Sequence, residues 1–160
     1  MEPNKVNHWL TLGANIGVLV GIALLVVELE QNREMIRAQT RNDISQQVAN
    51  RLLAVSSNTQ LANVKLGAET GRELTENEEH QYYLFLTATL RDWENIHYQY
   101  RHGLFDVNEY DAEKNTWRLL VNKNKAFDSH WCQNQPRFSP EFAAELESLL
   151  DDHECEIADN

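Results

Sequence analysis

The chain has 160 residues and carries 14 Lys and Arg against 25 Asp and Glu, a formal net charge of -11. This length suffices for one compact domain with its own core. The charge argues against nucleic acid as a partner, because such binding relies on a basic face that neutralises phosphates. It also disfavours broad contact between a soluble domain and anionic lipid.

The longest uncharged stretch runs from Trp9 to Val27 and has nineteen residues. As a helix it would be about 28 Å long, close to the ~30 Å hydrocarbon core of a bilayer. The alternatives are a buried core helix and a cleaved signal peptide, but residues 1–8 hold one lysine and no small-residue cleavage site ends the stretch. We therefore expect a short leader at 1–8 and a transmembrane helix at 9–27, with the lipid bilayer as its partner.

Glycines recur every fourth residue in this stretch, at Gly13, Gly17 and Gly21. The spacing puts them on one helix face, where small residues allow the backbones of two membrane helices to approach closely. Asn15 lies near that face and could add a hydrogen bond between helices. The pattern predicts association with a second copy or with other membrane subunits, although glycine is also common in membrane helices generally.

The orientation of the helix is predicted from basic residues close to its ends. Lys5 precedes the stretch, whereas Arg33, Arg37 and Arg41 follow it. This asymmetry predicts a cytoplasmic carboxyl-terminal domain. Two cysteines are too few for a disulfide framework, and unpaired thiols suit a reducing cytoplasm.

Residues 28–57 are predicted to form a helical stalk that continues the membrane helix, because neither Gly nor Pro occurs between Gly21 and Gly67. Apolar positions recur there at helical spacing, which favours packing of the stalk against its own domain. These positions, with one threonine among them, are Ile36, Thr40, Ile44, Val48, Leu52 and Val55.

Residues 58–152 are predicted to form a soluble helical bundle, and 153–160 an acidic tail. A short helix follows a cap at residues 56–58, and Thr75 with Glu78 forms a capping box for the longest soluble helix, which ends near His102. A fourth helix follows a cap at Asp106 and extends to Phe127. Residues 131–136 are predicted to be a connector.

A final helix is predicted after Ser139 and Pro140, on which Phe142, Leu146, Leu149 and Leu150 form an apolar face. No segment alternates with the period of a strand. The expected fold is all-α, with one N-terminal transmembrane helix continuing into an antiparallel helical bundle. The thirteen aromatic residues from Tyr82 to Phe142 are expected to form its core.

Four segments are distinctive in combination: Ala14–Gly17, Val27–Asn32, Asp92–Asp106, which reads DWENIHYQYRHGLFD, and Phe138–Phe142. Together they resemble a family of uncharacterised bacterial proteins that have an amino-terminal membrane helix and a helical domain. The resemblance spans most of the chain. It implies a single-pass protein of the bacterial inner membrane with an all-helical domain, and it implies no activity.

Glu94 and His97 lie one helical turn apart, the unit that supplies metal ligands in di-iron bundles. Such sites need a second pair of this kind and further glutamates on facing helices, and no second Glu-x-x-His occurs in a core-facing position. His97 also shares its helix face with Trp93 and Tyr100. We therefore favour a hydrogen-bonded core histidine over a metal ligand.

Two matching pairs, His130 with Cys132 and His153 with Cys155, could together form a tetrahedral zinc site. The usual spacing within a zinc pair is two to four intervening residues, and here it is one. We therefore favour coincidence. Near the end of the long helix, Tyr98, Tyr100, Arg101 and His102 are explained by local contacts and by the preference of cations for a helix carboxyl end.

The chain contains no phosphate loop, nucleophile elbow or recognisable Ser/His/Asp grouping. We expect a non-enzymatic, membrane-anchored helical interaction module without a cofactor, which self-associates or serves a larger membrane assembly. One alternative is a small homo-oligomeric channel lined by Thr11 and Asn15. Another is a metal-binding enzyme or sensor that uses Glu94 and His97.

Overall fold

The structure is a computed structural model that describes residues 3–124, 126–151 and 155. Within these ranges the regular structure is helical and no strand occurs. The helices are α1 (Pro3–Ser56), α2 (Thr59–Thr70), α3 (Glu76–Arg101), α4 (Val107–Lys123), α5 (Phe127–Asn134) and α6 (Pro140–Glu147), with a 3-10 turn at Gln135–Arg137. The predicted all-α class is confirmed.

The chain divides into two compact units, residues 1–39 and 40–160, and the boundary lies inside α1. In the first unit, α1 contains the apolar stretch. Its most apolar window has a mean hydropathy of 2.4, and none of that window is buried. By length and composition, this is the one helix in the described part of the chain that is able to cross a membrane.

The helix ends in the second unit are fixed by the capping residues that the sequence indicates. Asn58 accepts a hydrogen bond from the Leu61 amide at 3.1 Å and begins α2. Thr75 and Glu78 form the predicted capping box at the start of α3. Asp106 accepts from the Asn108 and Glu109 amides and begins α4. Short polar side chains thus set where three of these helices start.

The predicted end of the fourth helix at Phe127 and the predicted connector at residues 131–136 are both wrong. The fourth helix ends before Phe127, and the predicted connector is helical, with Trp131 completely buried in α5. Asn124 causes the break: its backbone is extended, its side-chain amide donates to the Tyr82 hydroxyl, and its side-chain oxygen accepts from the Ala126 amide. An asparagine that bonds its own backbone competes with helix continuation.

The core of the second unit is aromatic, as predicted. Trp93 of α3 stacks on Trp117 of α4 with ring centroids 5.2 Å apart, and Trp131 and Phe142 meet edge to face. The prediction does not hold for every aromatic residue: Tyr98 is largely exposed, and Tyr83, Phe85 and Tyr100 are only partly buried. Ile44, which α1 contributes, is 3% exposed, whereas Leu52 on the same predicted stripe is 64% exposed. The stalk stripe is therefore only partly covered.

Candidate functional site

The glycine face of α1 is open along its length in this chain. A methyl group added at Gly13, Gly17 or Gly21 would meet no atom within 4 Å. Asn15 is also exposed, and the nearby Thr11 hydroxyl donates back to the Asn7 carbonyl at 2.9 Å. The residues predicted for helix association therefore lie where a second helix has access to them.

Glu94 joins α3 to the start of α6. One carboxylate oxygen accepts from the Ser139 amide at 2.7 Å, and the other accepts from the Arg91 guanidinium at 2.6 Å. Burial acts to raise the pKa of Glu94, but the hydrogen bonds from Ser139 and Arg91 outweigh it and the pKa is lowered. Both carboxylate oxygens are occupied, so the geometry gives Glu94 a positioning role.

His97 is buried in the aromatic core. It is 6% exposed, and its ring centroid lies 6.1 Å from that of Tyr110 and 5.9 Å from that of Phe142. Burial lowers the pKa of His97, which favours the neutral ring. The described residues contain no group of three or more His, Cys, Asp and Glu side chains placed to hold a metal ion.

Cys132 and Cys155 form a disulfide, with Cα atoms 5.4 Å apart. The expectation of unpaired cysteines is therefore wrong. In this form neither sulfur is a thiolate, so the two cysteines do not act as zinc ligands, and His153 of the proposed set lies outside the described residues. His130 is buried; burial, with a smaller effect of Arg137, lowers its pKa to about 4.

Contacts that the sequence pattern did not reveal hold the chain after α6. Asn122 of α4 donates to the Leu149 carbonyl at 2.9 Å and accepts from the Asp151 amide at 3.0 Å. These two bonds fix the chain after α6, and Cys155 packs half-buried against the core. In the sequence itself, the feature compatible with a disulfide was the even number of cysteines.

The polar cluster at the end of α3 is held by local and neighbouring groups. Tyr100 stacks on Tyr110 at 3.9 Å, Arg101 pairs with Glu141 at 3.4 Å, and the His102 ring stacks on Tyr98. Arg101 thus contacts α6 through Glu141. These contacts account for the cluster structurally.

An apolar cavity in the second unit was not predicted from the sequence. Its volume is about 660 Å³, and α1, α2, α3, α4 and the first residue of α5 line it. The apolar lining includes Val48, Leu52, Val55, Phe85, Leu86, Leu120 and Val121. The charged residues of the lining are Arg51, Lys65, Glu69 and Glu113. Arg51 donates to Asp92 at 2.8 Å, and Lys65 pairs with Glu69.

No known protein family, no curated protein and no solved structure matches this chain.

Proposed function

We propose that this chain is a single-pass, membrane-anchored helical interaction module whose role is association, not catalysis. The observation that carries the proposal is the apolar part of α1, in which nineteen consecutive residues are uncharged and exposed. Exposed apolar surface of this extent is unfavourable in water, and lipid or another helix removes that cost.

Self-association through the glycine face is the more specific part of the proposal. Lipid tails are as apolar as leucine, so helices in a bilayer associate through close backbone packing rather than through burial from water. The open face at Gly13, Gly17 and Gly21 permits that packing, and Asn15 adds a polar group able to bond across helices. A second copy or another subunit fits this face equally well.

The test is the mass of the full-length protein in lipid nanodiscs, together with any copurifying subunit. Gly17→Leu places a large side chain on the face, and Ala23→Leu adds bulk to the same helix away from it. We expect Gly17→Leu to reduce the oligomer or the bound partner and Ala23→Leu to leave both unchanged. Equal behaviour of the two variants would rule out association through this face.

Two features of the chain favour opposite sides of the membrane for the helical bundle. Arg33, Arg37 and Arg41 favour a cytoplasmic bundle, but acidic residues are mixed among them. The disulfide favours an oxidising compartment, because cytosolic thiols are kept reduced. A bond between two specific residues weighs more than a charge count, so the proposal places the bundle on the oxidising side of a bacterial inner membrane.

A further inference from the structure

The cavity in the second unit has the chemistry of a small-molecule site. Its volume of about 660 Å³ lies within the ~300–1,000 Å³ typical of ligand pockets, and such pockets combine apolar walls with a few polar groups. Phe85, Leu86 and Val121 line it from α3 and α4, while Val48 and Leu52 line it from α1. An apolar chain placed there would be removed from water over much of its length.

Two residues of the lining, Leu52 and Leu120, are 64% and 43% exposed, so the cavity is open to the surface. An unbranched alkyl chain is thin enough to enter it from that side.

Two cations, Arg51 and Lys65, line the cavity together with two carboxylates, Glu69 and Glu113. The Arg51 guanidinium has five N–H donors and uses one on Asp92, at 2.8 Å. The Lys65 ammonium has three and uses one on Glu69. Both side chains line the cavity and are mostly buried, and a charge-assisted hydrogen bond from either cation to an anionic head group would be stronger there than in water.

We propose that this cavity binds a long-chain carboxylate, with its alkyl chain among the apolar residues of α1, α3 and α4 and its carboxylate at Arg51 or Lys65. The inference does not depend on self-association of the membrane helix, because every lining residue belongs to the second unit.

The test uses the full-length protein in phosphatidylcholine nanodiscs and a palmitate analogue with a diazirine on its alkyl chain. After illumination, mass spectrometry identifies the labelled peptides. We expect labelling of peptides from residues 48–56 and 113–124, and unlabelled palmitate should compete with it. Labelling confined to the apolar stretch at 9–27 would overturn the proposal, since it would report partition into the bilayer alone.

Variants distinguish cavity binding from surface binding. Val48→Trp and Thr116→Trp each put an indole into the cavity lining, whereas Leu119→Trp puts one on the exposed surface of α4 outside it. We expect at least tenfold less bundle labelling in the first two and no change in the third. Because Thr116 is exposed, we expect Thr116→Trp to fold, and it tests the site even if Val48→Trp does not fold. Labelling that survives in a folded Thr116→Trp variant contradicts the site.

The head group is tested with Arg51→Met and Lys65→Met, and with Arg118→Met, an exposed arginine of α4 outside the lining, as the control. We expect one of the first two to weaken labelling by the acid several-fold while labelling by its methyl ester stays unchanged. Equal effects on acid and ester, or none in either variant, would refute recognition of the carboxylate.

Discussion

Single residues fix the ends of the helices around the aromatic core, and Glu78 illustrates this most clearly. Its carboxylate accepts from the Thr75 amide at 2.9 Å and from the Arg72 guanidinium at 2.9 Å. The hydrogen bond from Arg72, followed by those from Thr75, lowers the pKa of Glu78 to about 2. One side chain thus caps α3 and holds the turn that precedes it.

The lowered pKa predicts a pH dependence of stability. A group whose pKa is lower in the folded state stabilises the fold fully above its unfolded pKa, here about 4.5, and loses that contribution as the pH falls to about 2. Glu78→Gln should therefore reduce the free energy of unfolding at pH 6 and weaken its decline between pH 4.5 and 2. Urea titrations followed by tryptophan fluorescence in detergent measure both effects.

The control for this prediction is Glu79→Gln, which changes the next, exposed carboxylate of the same helical turn. It removes the same formal charge but leaves the capping box intact. A pH profile altered equally by both substitutions would show that net charge, and not the bonds of Glu78, produces the effect.

At the scale of elements, the sequence predicts a helix well where pattern and cap agree. α3 has both, and its predicted bounds differ from the structure by about one residue. α5 has neither a long periodic pattern nor a side-chain cap, and it begins just after Asn124, whose side chain bonds across to Tyr82. Such a tertiary contact is not visible in local periodicity. The cavity was missed for the same reason, since its lining comes from five helices.

Within the second unit, few side chains hold the carboxyl-terminal part of α1 to the other helices. Ile44 is buried, and ion pairs join Arg41 to Glu109 at 2.5 Å and Arg51 to Asp92 at 2.8 Å. Pairs that are partly exposed contribute about 0–1 kcal/mol each, so the apolar contact is expected to dominate. This part of α1 should open more readily than α3.

Ile44→Ala tests whether the carboxyl-terminal part of α1 opens more readily than α3. Truncation of a buried isoleucine to alanine costs about 2–5 kcal/mol. In this variant we expect faster amide hydrogen exchange over residues 45–56 and unchanged exchange in α3. Leu53→Ala, at an exposed position of the same helix, should shift stability by no more than about 0.5 kcal/mol. Faster exchange in α3 and α1 together would mean that the two unfold as one cooperative element.

At the scale of the whole molecule, the disulfide fixes the chain after α6 to α5 across a sequence separation of 23 residues. The chain-entropy argument predicts that closing a loop of this length stabilises the fold by about 3 kcal/mol. Cys132→Ser, Cys155→Ser and the double variant should all lose about that amount in urea unfolding. Reductant should lower the wild-type protein to the same level and leave the variants unchanged; a further loss in the variants would contradict the pairing.

The oxidation state of Cys132 and Cys155 in cells reports which compartment the bundle occupies. If the bundle faces the oxidising side, Cys132 and Cys155 are bonded there and a maleimide–polyethylene glycol reagent shifts the denatured protein on a gel only after reduction. The matched control deletes residues 1–27, which removes the apolar stretch, so that the bundle stays in the cytoplasm and its thiols react without reductant. We expect the full-length chain to be protected. Full-length protein that reacts as readily as the control would place the bundle in the cytoplasm, as Arg33, Arg37 and Arg41 predict, and the disulfide would then not form in the cell.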